Sequence, residues 1–412
     1  MDIVYPICCG LDVHKATVTA CLRRVERTGQ VTKELRTVGT TTAALLALAD
    51  WLVAAGCTHV AMESTGVFWK PVFNLFEGQF VEVLVVNAQH VKAVPGRKTD
   101  LHDAEWLAQL LQHGLLRGSF IPPAPIRELR EATRYRKQVI RARGDEANRI
   151  QKLREAANLK LAAVATDILG VSGRAMLAAV IQGETDAQVL AGLAKGRLRR
   201  KQAQLVAALT GRITPVQRTL LGQQLAHVEY LDRAIAALDA LVTQLVAPYQ
   251  AEADRLRTIA GVEQRTAEVV IAELGVDMAP FPSDRHCAAW AGLCPGNHES
   301  AGKRKSGKTR KGSKWLRTAL TEAAWAASRT KSYLGAQYHR IARRRGKKRA
   351  AVAVAHSILV IAYHLLKDGT TYQDLGRDYF ERRDTGQLQR RLIGRLEALG
   401  LRVKVEPLPQ AA

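Results

Sequence analysis

IVYPICCGLDV, residues 3–13, is followed after three residues by TVTACLR, residues 17–23. Both runs are rich in apolar and β-branched residues, which favour strands. The short segment between them contains His14 and Lys15 and suits a hairpin turn. We therefore expect the chain to begin with two paired strands.

The pattern continues as an alternation of strands and helices. VTKELRTVGT (31–40) is typical of a third strand, and TTAALLALADWLVAAG (41–56) has helical spacing that ends at Gly56. HVAMEST (59–65) and VEVLVVN (81–87) are short apolar runs of the buried-strand type. Together these elements predict an α/β sheet domain.

The remainder of the chain is helical in character. Pro122, Pro123 and Pro125 mark a boundary. Residues 126–160 and 219–246 form two long helical patterns, the second with near-heptad spacing. They predict either an antiparallel coiled-coil arm or two helices of an ordinary bundle. Residues 256–275, LRTIAGVEQRTAEVVIAELG, suit a helix-hairpin-helix whose Gly261 turn approaches a DNA phosphate, or a plain helical hairpin.

Charge is distributed unevenly along the 412 residues, whose net charge is +23. Residues 1–123 carry 11 basic and 11 acidic residues, whereas residues 299–349 carry 17 Lys or Arg and 2 Glu. A basic excess of this size indicates a polyanionic partner. We expect a neutral catalytic module and a separate basic module that grips nucleic acid.

Cysteines and apolar runs indicate a cytoplasmic protein. The six cysteines include no C-x-x-C pair, so we expect reduced, buried thiols. The N-terminus lacks the features of a signal peptide. The longest apolar run, 351–366, is short for a bilayer and contains His356 and His364, so we expect a buried helix and no membrane.

Four carboxylates in the first quarter of the chain suggest chemistry. Asp12 and Glu63 end strand-like runs, and Asp100 and Asp103 are three apart at the head of a helical pattern. Carboxylates from separate elements form an oxygen site suited to Mg²⁺ or Mn²⁺. Two such ions can clamp the attacking and leaving oxygens of a phosphodiester. The set predicts an enzyme that cuts or joins nucleic acid.

Each carboxylate also has a structural interpretation as a turn or helix-capping residue. As a set they favour a site, because Asp12 and Glu63 fall in expected buried strands, where an unpaired carboxylate costs several kcal/mol. Arg97 and Lys98 precede Asp100 and Asp103 and suit contact with the substrate backbone.

A basic tract, residues 287–325, contains a Gly/Ser/Lys/Arg loop and becomes an amphipathic helix at Lys314. Such a loop either folds over a phosphate backbone or is a solvated charge run. We expect the first, because apolar elements bracket it. The candidate nucleic-acid contacts here are Lys303, Arg304, Lys305, Lys308, Arg310, Lys311 and Lys314. A second basic turn comprises Arg343, Arg344, Arg345, Lys347, Lys348 and Arg349.

Three motifs in this order, GLDVHK, AMESTG and KTDLHDAEWLA, resemble the DEDD transposases of insertion-sequence family 110 and its 1111 subgroup. The N-terminal domain of that family is similar to RuvC-type Holliday-junction resolvases, which have the RNase H fold. GVEQRTAEVVIAELG and FPSDRHCAAWAGLCPGNHESAGKRKSGKTRKGSKWLRTAL resemble its second conserved domain, and YQDLGRDYFERRD and RLIGRLEALGLRV resemble a tail of many members.

The resemblance implies roles for particular residues. Asp12, Glu63, Asp100 and Asp103 correspond to the DEDD set and would bind Mg²⁺. The serine of the family's Pro-x-x-x-x-Ser-x-Gly pattern falls on Ser300, a nucleophile that forms a covalent phosphoserine link to DNA. Members also use a structured non-coding RNA to choose double-stranded target and donor DNA. They assemble as homo-oligomers, dimers or tetramers, in which the DEDD domain of one subunit meets the serine domain of another.

The resulting expectation is an α/β plus all-α protein, divided into an RNase H-like domain (1–123), a helical arm (124–252), a basic serine domain (253–370) and a tail (371–412). A serine hydroxyl needs activation to act as a nucleophile, and Lys303, Arg304 and Lys305 suit stabilisation of the phosphorane. Apart from the resemblance, Ser306 and Ser313 are equal candidates. The alternatives are a hydrolytic metal-dependent nuclease, which needs no serine, and a non-catalytic nucleic-acid-binding protein.

Overall fold

The computed structural model describes residues 2–64, 66–88, 91, 103–296, 298–383 and 385–404. The chain divides into two compact units, Met1–Ile121 and Pro122–Ala412. The first unit is built around a sheet, and the second contains helices and one small hairpin. Each unit has its own hydrophobic core.

The sheet of the first unit has five strands in the order β3-β2-β1-β4-β5. β1 and β2 pair antiparallel, as the sequence predicted, and β3 pairs antiparallel with β2, whereas β4 and β5 run parallel to β1. This mixed sheet with its helices is consistent with an RNase H-like domain. The strands are β1 Ile7–Val13, β2 Thr17–Val25, β3 Val31–Gly39, β4 His59–Glu63 and β5 Glu82–Val86.

Helices cover both faces of the sheet. Cys9, Leu11 and Val13 of β1 share one core cluster with side chains of α1 and α2. The alternate residues of β1 face α3, where Cys8 packs with Leu111. Coverage of both faces explains why β1 and β4 are apolar along almost their whole length. The helices are α1 Thr42–Ala54, α2 Trp69–Phe76 and α3 Asp103–Gln112.

Two long helices, α4 Ala124–Ala156 and α9 Pro215–Val246, lie antiparallel in the second unit. Arg136 of α4 pairs with Asp239, and Arg143 pairs with Asp232. The residue numbers rise along α4 and fall along α9, so the two helices run in opposite directions. Hydrogen bonds from Arg143 and Arg174 outweigh the effect of burial on Asp232 and lower its pKa. α9 begins at Pro215, four residues before the predicted start at 219. Thr214 and Gln217 form a capping box that allows the helix to begin there.

Short helices between α4 and α9 form a cap with its own core. In the rest of the unit, α10, α12, α13 and α14 pack against α15, of which ten residues are buried. These elements are α5 Leu161–Val164, α6 Val171–Gln182, α7 Ala187–Gly192, α8 Gln202–Leu209, α10 Gln250–Arg257, α11 Gln264–Leu274, α12 Asp284–Trp290, α13 Lys314–Ala327, α14 Tyr333–Arg345, α15 Lys347–Asp368, α16 Tyr379–Arg383 and α17 Thr385–Glu397.

Helix α15 is longer than the apolar run that predicted it. Its 22 residues would suffice, by length and composition alone, to cross a membrane. It packs instead against its neighbours in the second unit, and Tyr363 donates a hydrogen bond to the Phe281 carbonyl. The expectation of a buried helix is confirmed, and this helix does not indicate a membrane protein.

The six cysteines are free, and five of them are buried. Burial raises the pKa of Cys8 and Cys57 to about 12, so these thiols stay protonated and unreactive at neutral pH. The prediction of reduced, buried thiols is confirmed for all but Cys294, which is half-buried.

Candidate functional site

Strands β1 and β4 bring two of the predicted carboxylates side by side. The strands are parallel, with Leu11 opposite Met62, so Asp12 and Glu63 occupy the next position on each strand. Side chains at paired positions of a parallel ladder point to the same face. This face is the one that α3 covers, since Cys8 and Ala61 share a cluster with Leu111.

Helix α3 lies directly on the backbone of β1. A Cβ added to Gly10 would lie 2.3 Å from the Ala104 carbonyl oxygen and 2.4 Å from the Ala108 nitrogen. The Cys8 thiol donates to the Ala108 carbonyl at 3.6 Å. The path from residue 8 to residue 12 therefore leads towards the first turn of α3, which begins with Asp103. Three of the four carboxylates thus come from elements that converge at one end of β1.

These carboxylates are less buried than the sequence suggested. The Asp12 side chain is 30% exposed and lies 3.2 Å from the His14 ring, while Glu63 is half-buried and Asp103 is exposed. The prediction that Asp12 and Glu63 are fully buried is therefore wrong, because water reaches both groups. Burial alone does not require a bound cation to compensate their charge. Asp100, Arg97 and Lys98 lie outside the described residues.

The donor set fits an oxygen-preferring divalent cation, since it consists of carboxylates from two strands and a helix. Within the described residues, however, no three His, Cys, Asp or Glu side chains are grouped closely enough to hold a metal.

Two polar contacts that the sequence did not reveal hold α3 on the sheet. Lys33 of β3 donates to the buried carboxylate of Glu105 at 2.8 Å, and Arg23 of β2 donates to Gln112 at 2.9 Å. Gln112 is fully buried. Glu105 and Gln112 stand within an apolar helical pattern, and this position could have indicated that they are buried with polar partners. These contacts fix where Asp103 lies along β1.

Ser300 lies at the end of a strand in a small β-hairpin. β6 His298–Ser300 pairs with β7 Lys303–Ser306, and Ser300 is opposite Lys303. Ala301 and Gly302 form the two-residue turn, with φ of 50° and 72°. Positive φ at both turn positions matches the right-handed twist of a hairpin, although it strains the alanine. The side chains of Ser300, Arg304 and Lys305 lie outside the described part of the structure.

The base of this segment, residues 292–312, is closed by two glycines. We call residues 292–312 the serine hairpin. A Cβ on Gly312 would lie 2.3 Å from the Gly292 nitrogen, and Gly292 has a φ of 70°. The Gly296 nitrogen also donates to the Lys308 carbonyl at 2.8 Å. The middle of the basic tract is therefore a hairpin that is ordered at its base and tip, where the sequence predicted a loop.

Ser313, directly after the serine hairpin, has a structural role. Its hydroxyl caps α13 by accepting from Leu316 at 3.2 Å and donates to Glu273 at 2.9 Å. Glu273 is 0% exposed, and Arg134 binds both of its oxygens at 2.7 and 2.8 Å. Arg130 donates to the Ala272 and Glu273 carbonyls. This cluster fixes one end of the serine hairpin to α4 and α11.

The cluster also perturbs one of its cations. Burial lowers the pKa of Arg130 to about 10, and the nearby Glu273 carboxylate partly opposes that shift. Arg130 therefore remains charged at neutral pH.

The three serines differ in their surroundings. Ser313 is committed to Glu273 and the helix cap, and the Ser306 hydroxyl accepts from the Lys308 nitrogen at 3.1 Å. Around them the described basic side chains Lys303, Lys308, Arg310, Lys311 and Lys314 are exposed. None of these five forms an ion pair within the described part of the chain.

Gly261 occupies the turn between α10 and α11, with a φ of 88°. A Cβ there would lie 2.4 Å from the Ala323 carbonyl oxygen and 2.6 Å from the Ala327 nitrogen. The next backbone N–H, of Val262, donates to the Ile259 carbonyl. Packing against α13 accounts for the glycine without a phosphate, which favours the plain helical hairpin.

The second basic cluster lies where α14 ends and α15 begins, around Gly346 with a φ of 83°. The structure confirms the predicted turn. All of its basic side chains are exposed, namely Arg343, Arg344, Arg345, Lys347, Lys348 and Arg349.

A carboxylate-bearing mixed sheet joined to a basic helical unit is the general arrangement of an enzyme that processes nucleic acid. Two family models match the chain and together cover more than half of it. The DEDD model for IS110, described as a transposase, matches residues 9–157, and the transposase IS116/IS110/IS902 family model matches residues 253–340.

Two curated relatives agree with these matches. The chain is 27% identical over 297 residues to a protein of Pseudomonas aeruginosa named "Probable family 20 transposase", covering 71% of this chain and 79% of the relative. It is 26% identical over 328 residues to the transposase for insertion sequence element IS1111A of Coxiella burnetii, covering 77% and 79%. The chain belongs to the DEDD insertion-sequence transposases of the IS110 family, and it is a DNA recombinase.

Gly10→Ala is expected to lower the free energy of unfolding of the first unit by about 1–3 kcal/mol, because the added methyl group must push α3 away from β1. If Asp12 and Asp103 bind a shared catalytic ion, DNA cleavage falls with it, since Asp103 moves relative to Asp12. Urea denaturation followed by tryptophan fluorescence measures the first effect. Gly39→Ala is the matched control, because nothing lies within 4 Å of a Cβ there. Equal stability of the two variants would contradict the packing argument.

Glu273→Ala is expected to destabilise the second unit by about 3–5 kcal/mol, because it leaves Arg134 and Ser313 without their acceptor in a buried site. Glu322→Ala serves as the control. It removes the exposed pair with Lys137, whose side chains are 42% and 57% exposed, and should cost about 0–1 kcal/mol. Thermal unfolding of both variants compares them, and a small loss for Glu273→Ala would show that the cluster does not hold the fold.

Proposed function

We propose that this transposase cuts and rejoins double-stranded DNA through a covalent bond between DNA and Ser300, with a Mg²⁺- or Mn²⁺-binding DEDD set as its second catalytic group. The observation that carries the proposal is the pairing of Asp12 and Glu63 beneath the first turn of α3. The fixed base of the serine hairpin supports the second half. We also propose the division predicted from the sequence, with a catalytic domain (1–123), a helical arm (124–252), a basic serine domain (253–370) and a tail (371–412).

In the proposed step the Ser300 hydroxyl oxygen attacks a DNA phosphorus atom. One serine–phosphorus ester bond forms and one ester bond of the DNA breaks. The serine proton passes to the departing oxygen, which becomes a free hydroxyl end. Because one phosphate ester replaces another, the reverse attack by a DNA hydroxyl rejoins strands without ATP.

The chain supplies charge and geometry for this step. The ion, when bound by Asp12, Glu63, Asp100 and Asp103, would polarise the phosphate and lower the cost of its developing charge. Lys303 is opposite Ser300 in the hairpin ladder, so its exposed ammonium is available to stabilise the phosphorane oxygens. The His14 ring, 3.2 Å from Asp12, orients that carboxylate.

The proposal extends to the partners of the enzyme. The net charge of +23 supports binding of DNA at element ends and target, and of a structured guide RNA encoded by the element. It also includes a homo-oligomer, either a dimer or a tetramer. The long antiparallel pair of α4 and α9 offers an element for such assembly.

Ser300→Ala is expected to abolish a protein–DNA adduct that survives denaturation, because the nucleophilic oxygen is lost. The assay incubates protein, Mg²⁺, element-end DNA and the element's RNA, followed by a denaturing gel. Ser306→Ala is the matched control in the same hairpin and should retain the adduct. Cleavage without any adduct, unaffected by Ser300→Ala, would leave the hydrolytic nuclease as the mechanism.

Asp12→Asn and Glu63→Gln are each expected to reduce DNA cleavage by at least 100-fold, because they remove a charged oxygen ligand while preserving side-chain size. Chelation of divalent ions with EDTA should have the same effect on the unaltered protein, reversed by added Mg²⁺. Asp50→Asn, an exposed carboxylate of α1 in the same unit, is the control. Cleavage that persists in EDTA would overturn the metal-dependent part of the proposal.

A further inference from the structure

A basic groove of about 1040 Å³ lies in the second unit, outside the serine hairpin. One of its walls consists of the turn after α13 and the exposed side of α14. This wall contributes five cationic side chains, which are Arg329, Lys331, Arg340, Arg343 and Arg344. Its volume is at the upper end of the range for small-molecule pockets, so it can hold a length of polymer.

The tail of the chain forms the opposite wall. Arg377, Phe380 and Arg390 line the groove, together with Glu381. No sequence pattern had indicated a role for these tail residues. They reach the groove because α16 packs against α14 and α17 packs against α16.

Polar and aromatic contacts hold the tail in this position. The Asp374 carboxylate accepts from the Tyr333 backbone nitrogen at 3.1 Å and from the Tyr372 hydroxyl at 3.1 Å. The Tyr333 ring stacks on Phe380, with centroids 5.2 Å apart and planes at 20°. Asp374 and Phe380 therefore fix the second wall against the start of α14.

The groove is strongly unbalanced in charge. Its lining includes seven Lys or Arg side chains and a single carboxylate, that of Glu381. Within the described part of the chain, none of Arg329, Lys331, Arg377 and Arg390 forms an ion pair, nor do the lining arginines of α14. Like charges gathered without counter-charges repel one another, and a polyanion removes that cost.

The aromatic side chain of the groove is already engaged. Phe380 is stacked on Tyr333, and the Arg340 guanidinium lies 4.8 Å from its centroid. A groove that reads single-stranded bases needs aromatic faces on which they can stack. Here the available groups are the arginines and Lys331, which suit phosphate oxygens.

We infer that this groove binds the phosphate backbone of a nucleic acid without reading its sequence. The tail thus contributes to nucleic-acid binding through Arg377 and Arg390. Ser300 plays no part in this inference, because the groove residues lie between 328 and 344 and between 377 and 390. Duplex DNA and double-stranded RNA share the recognised chemistry, and the experiment separates them.

The test measures binding as a function of salt for the double variant Arg377→Ala/Arg390→Ala. Both it and the reference protein carry Ser300→Ala, so that catalysis does not enter the readout. The probes are a duplex DNA, an RNA stem and a single-stranded DNA of equal phosphate number and scrambled sequence. Fluorescence anisotropy at 0.05–0.5 M salt gives the slope of log affinity against log salt concentration.

The slope is expected to become shallower by about 1.8 for the preferred duplex, since each lost phosphate contact removes about 0.9. If the affinities of the variant and the reference protein converge near 1 M salt, binding at 0.1 M falls by about 60-fold. The probe with the largest change identifies the nucleic acid. Arg329→Ala/Lys331→Ala, on the opposite wall, should show the same change.

The matched control is Arg395→Ala/Arg402→Ala, which removes the same charge from exposed tail positions outside the groove lining. It should leave the slope unchanged. An unchanged slope in both groove variants, or an equal change in the control, would overturn the inference. Adduct formation by Ser300 is scored separately, in the groove variants with Ser300 restored, so failure of the groove and failure of the serine mechanism are distinguishable.

Discussion

The absence of a side chain at residue 10 determines the geometry of the first unit. Because Gly10 presents only backbone, α3 lies directly on β1, with main-chain atoms where a Cβ would stand. Strand pairing places Asp12 beside Glu63, but only this close approach brings the first turn of α3 over the same end of the sheet. Lys33 and Arg23 then prevent α3 from sliding along the sheet. The carboxylates are thus positioned by backbone packing, which tolerates little variation.

The second unit uses the same principle at a different place. Gly292 and Gly312 allow two backbone segments to touch, and Ser313 ties the end of the hairpin to the buried carboxylate of Glu273. Arg134 neutralises that carboxylate, which removes the cost of burying it. A strongly basic segment that would otherwise be a solvated charge run is held in this way at a defined position. Arg134 belongs to the long helix α4, so the helical arm is linked to the end of the serine hairpin through Glu273 and Ser313.

Much of the fold was predictable because its signals are local. β-branched runs indicated β1 to β5, and helical periodicity indicated α1, α4 and α9. Helix α2 was not predicted, because its eight residues give too short a periodic pattern, and Pro71 lies in its first turn, where proline is tolerated. The hairpin at Ser300 was not predicted, because its two strands are short and contain charged residues rather than the β-branched residues that indicate a strand. The alignment of Asp12 with Glu63 and the groove wall formed by the tail depend on contacts between distant residues, which no local pattern contains.

The fixed base of the serine hairpin limits the reach of its tip. Ser300 is eight residues from Gly292, and an extended strand rises about 3.3 Å per residue, so the serine lies within about 26 Å of the base. One turn of duplex DNA is about 34 Å long. If Ser300 is the nucleophile, as we propose, the scissile phosphate must therefore lie within this distance of the base, which is less than one turn of the duplex. The placement of DNA on the helices around the base would then determine which phosphate the serine reaches.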